Sequence, residues 1–172
     1  DVERSRGLGD VYKRQVVMDG GSLRASNIKL AAWTDYFVVS EHFARDYMSY
    51  RSLSSEAEIK AALIELNKIC RGEAFITLGE KGCAFLKSGM LQIVPSWLCN
   101  AVDTTGAGDV FHGAFTYGVH YSWHIDNIIL FASLTAAISI EKKGVRESMP
   151  DLAVVHHSLN SYERNLKHYF EE

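Results

Sequence analysis

The sequence predicts an α/β fold in which helices are packed on a parallel sheet. Between residues 16 and 39 a strand, a short helix and a second buried strand follow one another. This order and spacing are typical of a right-handed crossover between parallel strands. An amphipathic helix and three more short strands come next, and two apolar helices follow them. The alternation therefore predicts a sandwich of helices and one sheet.

The first half of the chain contains the crossover unit and the helices that flank it. We expect a strand over 16–19 that two glycines end, a helix over 25–33 and a strand over 35–39. Ser40 suits the N-cap of a helix over 41–48, because its hydroxyl can accept a bond from a first-turn N–H. Apolar residues at helical spacing then predict an amphipathic helix over 56–70.

The second half begins with three short strands, predicted over 74–77, 82–86 and 91–94, with glycines in the turns between them. A helix over 124–141 is apolar on most sides, so we expect it to be buried. Lys142 and Lys143 are predicted in its last turn, where cations are favoured, and Gly144 is predicted to terminate it. The polar segment 151–172 has some helical periodicity and is expected to pack loosely.

Composition excludes several classes of protein. With 172 residues the chain is long enough for one domain with a sizeable core, and its net charge of -3 with no basic stripe argues against nucleic-acid binding. Polar residues interrupt the apolar region near 125–140, so we expect no membrane span. The three cysteines lack metal-ligand spacing, which favours reduced thiols and a cytoplasmic location.

Residues 1–15 lack the periodicity of the rest of the chain. We interpret them as a non-native or linker-derived segment, within which Gly7-Leu-Gly-Asp10 only mimics a later glycine motif. The predicted domain covers 16–151 and starts abruptly inside a strand, and a helical tail is expected over 152–172.

A loop that leads into a helix, from Asp103 to Phe115, carries the strongest functional signal. The first N–H groups of a helix lack intrahelical partners and carry partial positive charge, so an anion is favoured there. Gly106 and Gly108 let the backbone approach a phosphate closely. Asp109 adds a carboxylate that could take a proton from a hydroxyl beside this anion hole. A plain glycine turn followed by an acidic first-turn residue explains the same spacing.

The run Asp103-Thr-Thr-Gly-Ala-Gly-Asp109, followed by Phe-His-Gly-Ala-Phe, resembles the C-terminal signature of the ribokinase-like carbohydrate kinases. The resemblance covers about residues 16–151 and implies the Rossmann-like parallel-sheet sandwich of the ribokinase-like fold, truncated at its N-terminus. It implies ATP-dependent phosphoryl transfer to a primary hydroxyl of a carbohydrate, with Asp109 as the base and the backbone of Gly106, Ala107 and Gly108 as the anion hole. The lid and most sugar contacts of the family would be missing, so we expect the fragment alone to be inactive.

The same resemblance implies positions for ATP and for metal ions. A nucleotide loop would be formed by Thr77, Leu78, Gly79 and Gly82, although this stretch is also an ordinary hairpin turn, and Ser133 would lie near the adenine. A monovalent cation such as K⁺ would be surrounded by Asp103, Thr105, Ser139, Lys142, Gly144 and Ser148; Lys142 could equally cap the helix or replace the charge of the cation. Mg²⁺ would accompany ATP.

The sequence departs from the family where many members carry an Asn followed three residues later by Glu, a pair associated with the magnesium water shell. Ser40 and Phe43 stand at these positions, which puts that magnesium assignment in doubt. His112 is interpreted as a helix-packing or supporting residue, with direct substrate contact as the alternative.

The implied partners are a sugar and ATP, without nucleic acid or membrane, and a homodimer stays open for the full-length protein. A non-catalytic ATP-binding or regulatory homologue is the alternative function, and an NAD-dependent oxidoreductase is a more distant one. The residues do not identify the sugar.

Overall fold

The computed structural model describes residues 14–159. The linker interpretation of residues 1–13 and the predicted tail beyond 159 lie outside the described residues. The chain divides into two compact units. One contains the chain up to Thr77 together with Ala84–Gln92, and the other contains Leu78–Cys83 and the chain from Ile93 onward.

Five strands form one sheet in the order β1-β2-β3-β4-β5. Their bounds are Val17–Asp19, Tyr36–Ser40, Glu73–Thr77, Cys83–Lys87 and Met90–Val94. The pairings of β1 with β2 and of β2 with β3 are parallel, as the crossover unit predicts. Only two residues connect β4 to β5, a length that requires antiparallel neighbours. The parallel α/β class is therefore confirmed, with an antiparallel hairpin at the far edge of the sheet.

The central strands β2 and β3 are buried because each carries an uninterrupted apolar run. Residues 37–39 of β2 and 74–76 of β3 are almost completely shielded from solvent, as is typical of parallel strands covered on both faces. At the amino-terminal ends of these strands, the Asp35 carboxylate accepts a bond from the Val16 amide at 2.8 Å and a bidentate pair of bonds from Arg71.

Three helices belong to the first unit: α1 is Ala25–Ala31, α2 is Glu41–Tyr47 and α3 is Glu56–Ile69. The hydroxyl of Ser40 accepts a bond from the amide of Phe43 at 3.1 Å, which confirms Ser40 as the N-cap of α2. At the start of α3, Ser55 and Glu58 form a reciprocal capping box. Both helix starts are thus satisfied by side chains of the chain itself.

The second unit contains two longer helices, α4 over Ala107–His120 and α5 over Ile125–Ser139. Five successive residues of α5, 131–135, are buried, which confirms that this helix is surrounded by protein on most sides. Next to it, the rings of Trp123 and Phe131 meet edge to face with centroids 5.2 Å apart. No helix in the described range is both long enough and apolar enough to cross a membrane.

The prediction for the end of α5 is wrong. The helix stops at Ser139, with Ile140 as its C-cap and no basic residue in its last turn, so Lys142 and Lys143 lie beyond it and Gly144 does not terminate it. Continuation would require the amide of Gly144 to bond the carbonyl of Ile140. That carbonyl instead accepts the amides of Val102 and Asp103 at 2.7 and 3.1 Å, so tertiary bonds replace the helical one.

The first part of the predicted tail is helical and mostly exposed, with one point of close contact. Residues 152–159 are helical. Val155 is 1% exposed, and the ring of His156 lies against Phe131 with centroids 5.9 Å apart. One buried valine and one ring contact thus connect these two turns of helix to the unit.

The three cysteines are free, with Cys70 and Cys83 buried and Cys99 partly so. Burial raises the pKa of all three thiols, and the charge of Glu141 adds to this effect at Cys99. A raised pKa keeps a thiol protonated and poorly nucleophilic. A raised pKa thus argues against a reactive thiolate at these three positions.

Candidate active site at the start of helix α4

Helix α4 begins with an uncapped glycine. Gly106 has a left-handed backbone with φ of 78°, and no side chain caps the helix. The amide of Ala107 donates to the carbonyl of Thr104 at 3.2 Å, and that of Val110 donates to Gly106 at 3.0 Å. Within residues 14–159, the amides of Gly106, Gly108 and Asp109 have no protein acceptor. Three backbone donors are therefore open at this helix start, where the helix dipole favours an anion.

The two glycines of this turn are needed for different reasons. At Gly106 a Cβ would lie 2.8 Å from Cγ1 of Val145, and positive φ already disfavours other residues. At Gly108 a Cβ would meet no atom within 4 Å. Gly106 is thus required by the fold, whereas Gly108 faces open space that leaves its backbone accessible.

Asp103 joins the glycine loop to the segment that follows α5. Its Oδ1 accepts the amide of Thr105 at 3.0 Å, and its Oδ2 accepts the amide of Gly144 at 3.2 Å. The hydroxyl and amide of Thr105, then the amide of Gly144 and the charge of Lys143, hold the pKa of Asp103 below its usual value. An ionised carboxylate therefore holds the two segments together.

Asp109 lies in the first turn of α4 with its side chain exposed. Its own amide is one of the three open donors. One turn later, Nδ1 of His112 is 2.7 Å from the carbonyl oxygen of Gly108. A carboxylate and a set of N–H donors thus share one turn of helix, an arrangement that can accept a proton while stabilising nearby negative charge.

The predicted nucleotide loop is a tight turn. Its residues 79–81 form a short 3₁₀ turn, and the amide of Leu78 donates to the carbonyl of Gly82 at 2.7 Å. Leu78 is 4% exposed, so its side chain packs inward. At Gly82, φ is 102° and a Cβ would lie 2.0 Å from the carbonyl oxygen of Val94. Close packing by itself explains this glycine, while Gly79 has open space around it.

Thr77 ends β3 in the first unit, and its hydroxyl donates to the carbonyl of Val39 at 3.4 Å. Ser133 lies in the buried run of α5 and is 7% exposed. The structure therefore accounts for both residues as packed polar groups. Their contacts with a nucleotide stay predictions.

The residues assigned to a monovalent cation are brought together only in part. Asp103, Thr105 and Gly144 share hydrogen bonds. The hydroxyls of Ser139 and Ser148 donate within their own turns, to the carbonyls of Ala136 and Val145. In the described part of the chain no group of three or more His, Cys, Asp or Glu side chains could hold a metal ion.

Ser40 and Phe43 do not fit a magnesium site. The Ser40 hydroxyl caps α2, and Phe43 is 1% exposed with its ring edge to face against Phe37 at 5.7 Å. A buried phenyl ring offers no oxygen ligand, which Mg²⁺ requires. This position in the chain is a structural helix start.

Sequence reasoning missed the residues that support the glycine loop from outside. Val145 packs against Gly106, and the carbonyl of Ile140 accepts two amides of the loop. Both lie more than 30 residues further along the chain. Neither position carries a local signal, because an apolar side chain and a backbone carbonyl are ordinary everywhere in a sequence.

A comparison of the chain with known protein families identifies the class of protein to which this fold and this helix start belong. The pfkB family carbohydrate kinases match residues 24–152 of the chain. The chain belongs to this family, as its signature motif indicates.

Individual relatives include sugar kinases of bacteria. Ribokinase of Lactococcus lactis subsp. lactis is 30% identical over 152 residues, which are 88% of this chain and 47% of that protein. Deoxyribokinase of Salmonella typhi is 30% identical over 131 residues, which are 76% of this chain and 42% of that protein. The chain therefore spans less than half the length of these two relatives.

Solved structures show the same fold. Ribokinase from Thermotoga maritima superposes with a TM-score of 0.74 at 24% identity, covering 86% of this chain and 50% of that one. Ribokinase from Arabidopsis thaliana, solved with ribose and ATP, superposes with a TM-score of 0.72 at 23% identity, covering 83% of this chain and 46% of that one. Both matches confirm the ribokinase-like fold.

Proposed function

We propose that this chain carries the phosphoryl-transfer end of an ATP-dependent carbohydrate kinase, whose acceptor is a primary hydroxyl of a sugar. One observation supports the proposal most: in a chain of the pfkB family, an exposed carboxylate and three amides that find no acceptor within residues 14–159 share the first turn of α4. The sequence resemblance assigns the roles of base and anion hole to this same turn.

Asp109 would act as the base. Its carboxylate takes the proton of the sugar hydroxyl, the hydroxyl oxygen forms a bond to the γ-phosphorus, and the bond from that phosphorus to the bridging oxygen of ADP breaks. The products are a sugar phosphate and ADP. Exposure of Asp109 leaves the carboxylate accessible to such a hydroxyl.

The backbone would stabilise charge on the transferring phosphoryl group. The open amides of Gly106, Gly108 and Asp109 can donate to its oxygens, and the dipole of α4 adds partial positive charge. The amide of Ala107 already donates to Thr104, so Ala107 contributes its position in the turn rather than a donor. Open space at Gly108 lets a phosphate approach the backbone closely.

Nucleotide contacts at Thr77, Leu78, Gly79, Gly82 and Ser133, and a K⁺ ion beside Asp103, are further parts of the proposal. Carboxylate, hydroxyl and carbonyl oxygens are the ligands that hard cations prefer, and the charge of such an ion would offset that of Asp103. Mg²⁺ would arrive with ATP, but Ser40 and Phe43 do not fit it, and no step above depends on it. Three free thiols fit a cytoplasmic protein.

Binding measurements test the nucleotide part. We expect the 172-residue chain to bind ATP and ADP, but not NAD, in calorimetric titrations. Absence of ATP binding would contradict the proposal, and NAD binding would favour an oxidoreductase instead.

A transfer assay tests the chemistry. The relatives named ribokinase and deoxyribokinase make ribose and deoxyribose the first acceptors to try. A form extended to the full length of these relatives should convert one of them to its phosphate with matching loss of ATP. The 172 residues alone should turn over far more slowly, because they span less than half of that length. ATP binding by the extended form without transfer to any sugar would favour the non-catalytic homologue.

A further inference from the structure

His112 makes a contact that the sequence-derived roles do not use. It lies one turn after Asp109 in α4, and its Nδ1 is 2.7 Å from the carbonyl oxygen of Gly108. A carbonyl oxygen can only accept a hydrogen bond, so Nδ1 must carry the hydrogen. The contact therefore selects the Nδ1-protonated tautomer of His112.

The carbonyl of Gly108 belongs to the same peptide group as the amide of Asp109. Because this group is planar and trans, the direction of the C=O bond also determines the direction of the N–H bond on its opposite side. The amide of Asp109 is one of the three donors without a protein acceptor. A bond from His112 to the Gly108 carbonyl thus orients a donor that faces the proposed phosphoryl position.

This peptide group lies in the first turn of α4, at a glycine. Gly108 has no Cβ, and glycine is the residue whose backbone rotates most freely. Outside the backbone of α4 itself, a Cβ there would meet nothing within 4 Å, so no other part of the chain packs against this position. The imidazole is itself held, because its ring lies edge to face against the buried ring of Phe111 at 6.0 Å. The imidazole of His112 therefore adds a side-chain restraint to the one that the helix backbone supplies.

We propose that His112 is a positioning residue for the anion hole: its Nδ1–H group holds the peptide between Gly108 and Asp109 so that the Asp109 amide points at the transferring phosphoryl group. The proposal rests on the function proposed above and adds to it the residue that orients this donor. His112 acts through the backbone and does not itself touch the substrate.

Two substitutions separate the hydrogen bond from simple packing. Asn keeps an amide donor close to the place of Nδ1, whereas Leu fills similar volume without a donor. We expect H112L to weaken ATP binding about fivefold, the equivalent of one hydrogen bond, and H112N to stay within about twofold of the unaltered chain. Thr116→Val is the matched control, because it removes the neighbouring bond from a hydroxyl to the His112 carbonyl and should leave ATP affinity unchanged.

Resonances of the free chain give a second measurement that needs no ligand. In mildly alkaline solution, which keeps imidazole neutral, the ¹⁵N shifts of His112 should show a proton on Nδ1. The ¹³C shift of the Gly108 carbonyl should move in H112L and stay in place in H112N. If H112L does not fold, the tautomer of His112 in the unaltered chain and the ATP affinity of H112N still test the positioning role.

The possible outcomes are distinct. Equal ATP affinity in H112L and the unaltered chain overturns the positioning role, and so does a proton on Nε2 in the neutral ring. If the unaltered chain binds no ATP, the proposed kinase function fails. The Gly108 carbonyl shift then shows separately whether His112 orients this peptide.

Discussion

Helices α2 and α4 both carry an acid in the first turn, Glu41 in one and Asp109 in the other. Helix α2 follows β2 directly, whereas α4 follows a loop. Their N-termini nevertheless differ in whether a side chain caps the helix. Ser40 caps α2 and accepts the amide of Phe43, whereas α4 starts at a left-handed Gly106 that has no side chain to accept anything. A capped start uses a backbone donor inside the protein, and a glycine start leaves the donors for another molecule.

Lack of a cap is not sufficient to define a site. Helix α5 also starts without a side-chain cap, at His124. The start of α4 differs from it because Asp103 ties the preceding loop to Gly144. A first-turn acid occurs in both helices, Asp109 in α4 and Asp126 in α5. A left-handed glycine start behind a restrained loop therefore distinguishes α4, rather than a missing cap or an acid alone.

The largest expected effect is on kcat, and it distinguishes the first-turn acid of α4 from that of α2. In a form with the full length of its relatives, Asp109→Asn should lower kcat by about two to four orders of magnitude, the usual contribution of a general base. ATP affinity should change little, because the backbone donors remain. Glu41→Gln is the matched control, since it neutralises the corresponding acid of α2 and should leave kcat unchanged. Steady-state assays of both variants measure the difference in kcat. Normal turnover of the Asn variant would show that Asp109 is not the base.

A second comparison separates the two glycines of the α4 turn. Gly106→Ala should destabilise the chain by about 1–2 kcal/mol for the left-handed backbone alone, with more from contact with Val145. Gly108→Ala should stabilise the helix by up to about 1 kcal/mol yet weaken ATP binding about tenfold, because its Cβ enters the space that a phosphate needs. Urea unfolding and calorimetry measure the two effects. Unchanged ATP affinity in the Gly108 variant would mean that no phosphate approaches there.

A smaller effect depends on pH and tests the restraint on the α4 loop. The folded state lowers the pKa of Asp103, so the ionised carboxylate stabilises the fold above its unfolded pKa of about 4 and loses this contribution as the pH falls below it. Asp103→Asn should melt at lower temperature than the unaltered chain at neutral pH, since an amide group cannot accept both the Thr105 and Gly144 amides. The difference in Tm should shrink near pH 3; a constant difference would contradict this role of the charge.

The smallest effect concerns the capped helix. Ser40→Ala should destabilise the chain by about 1 kcal/mol, the usual cost of losing an N-cap. ATP affinity should stay within about twofold of that of the unaltered chain, because the Ser40 hydroxyl already accepts the amide of Phe43. A large loss of ATP affinity with little loss of stability would instead indicate that Ser40 contacts the nucleotide.

Sequence patterns located the helices and strands of the described chain to within a few residues, because the signals are local. The apolar run of β2, the capping box of α3 and the turn glycines each act over a few neighbouring positions. The end of α5 was misplaced because bonds from Val102 and Asp103 decide it. Those donors lie almost 40 residues earlier, where periodicity carries no information about them.

The motif from Asp103 to Asp109 was sufficient to assign the family and to single out the acid and the glycine turn, since these depend on residue type and short spacing. Which amides stay open, why Gly106 must be glycine and which carbonyl His112 bonds were decided only when the chain folded. The reason is that donors, acceptors and steric neighbours such as Val145 come from distant positions. Hydrogen bonds and close packing depend on distances in space, which a pattern of residues along the chain does not contain.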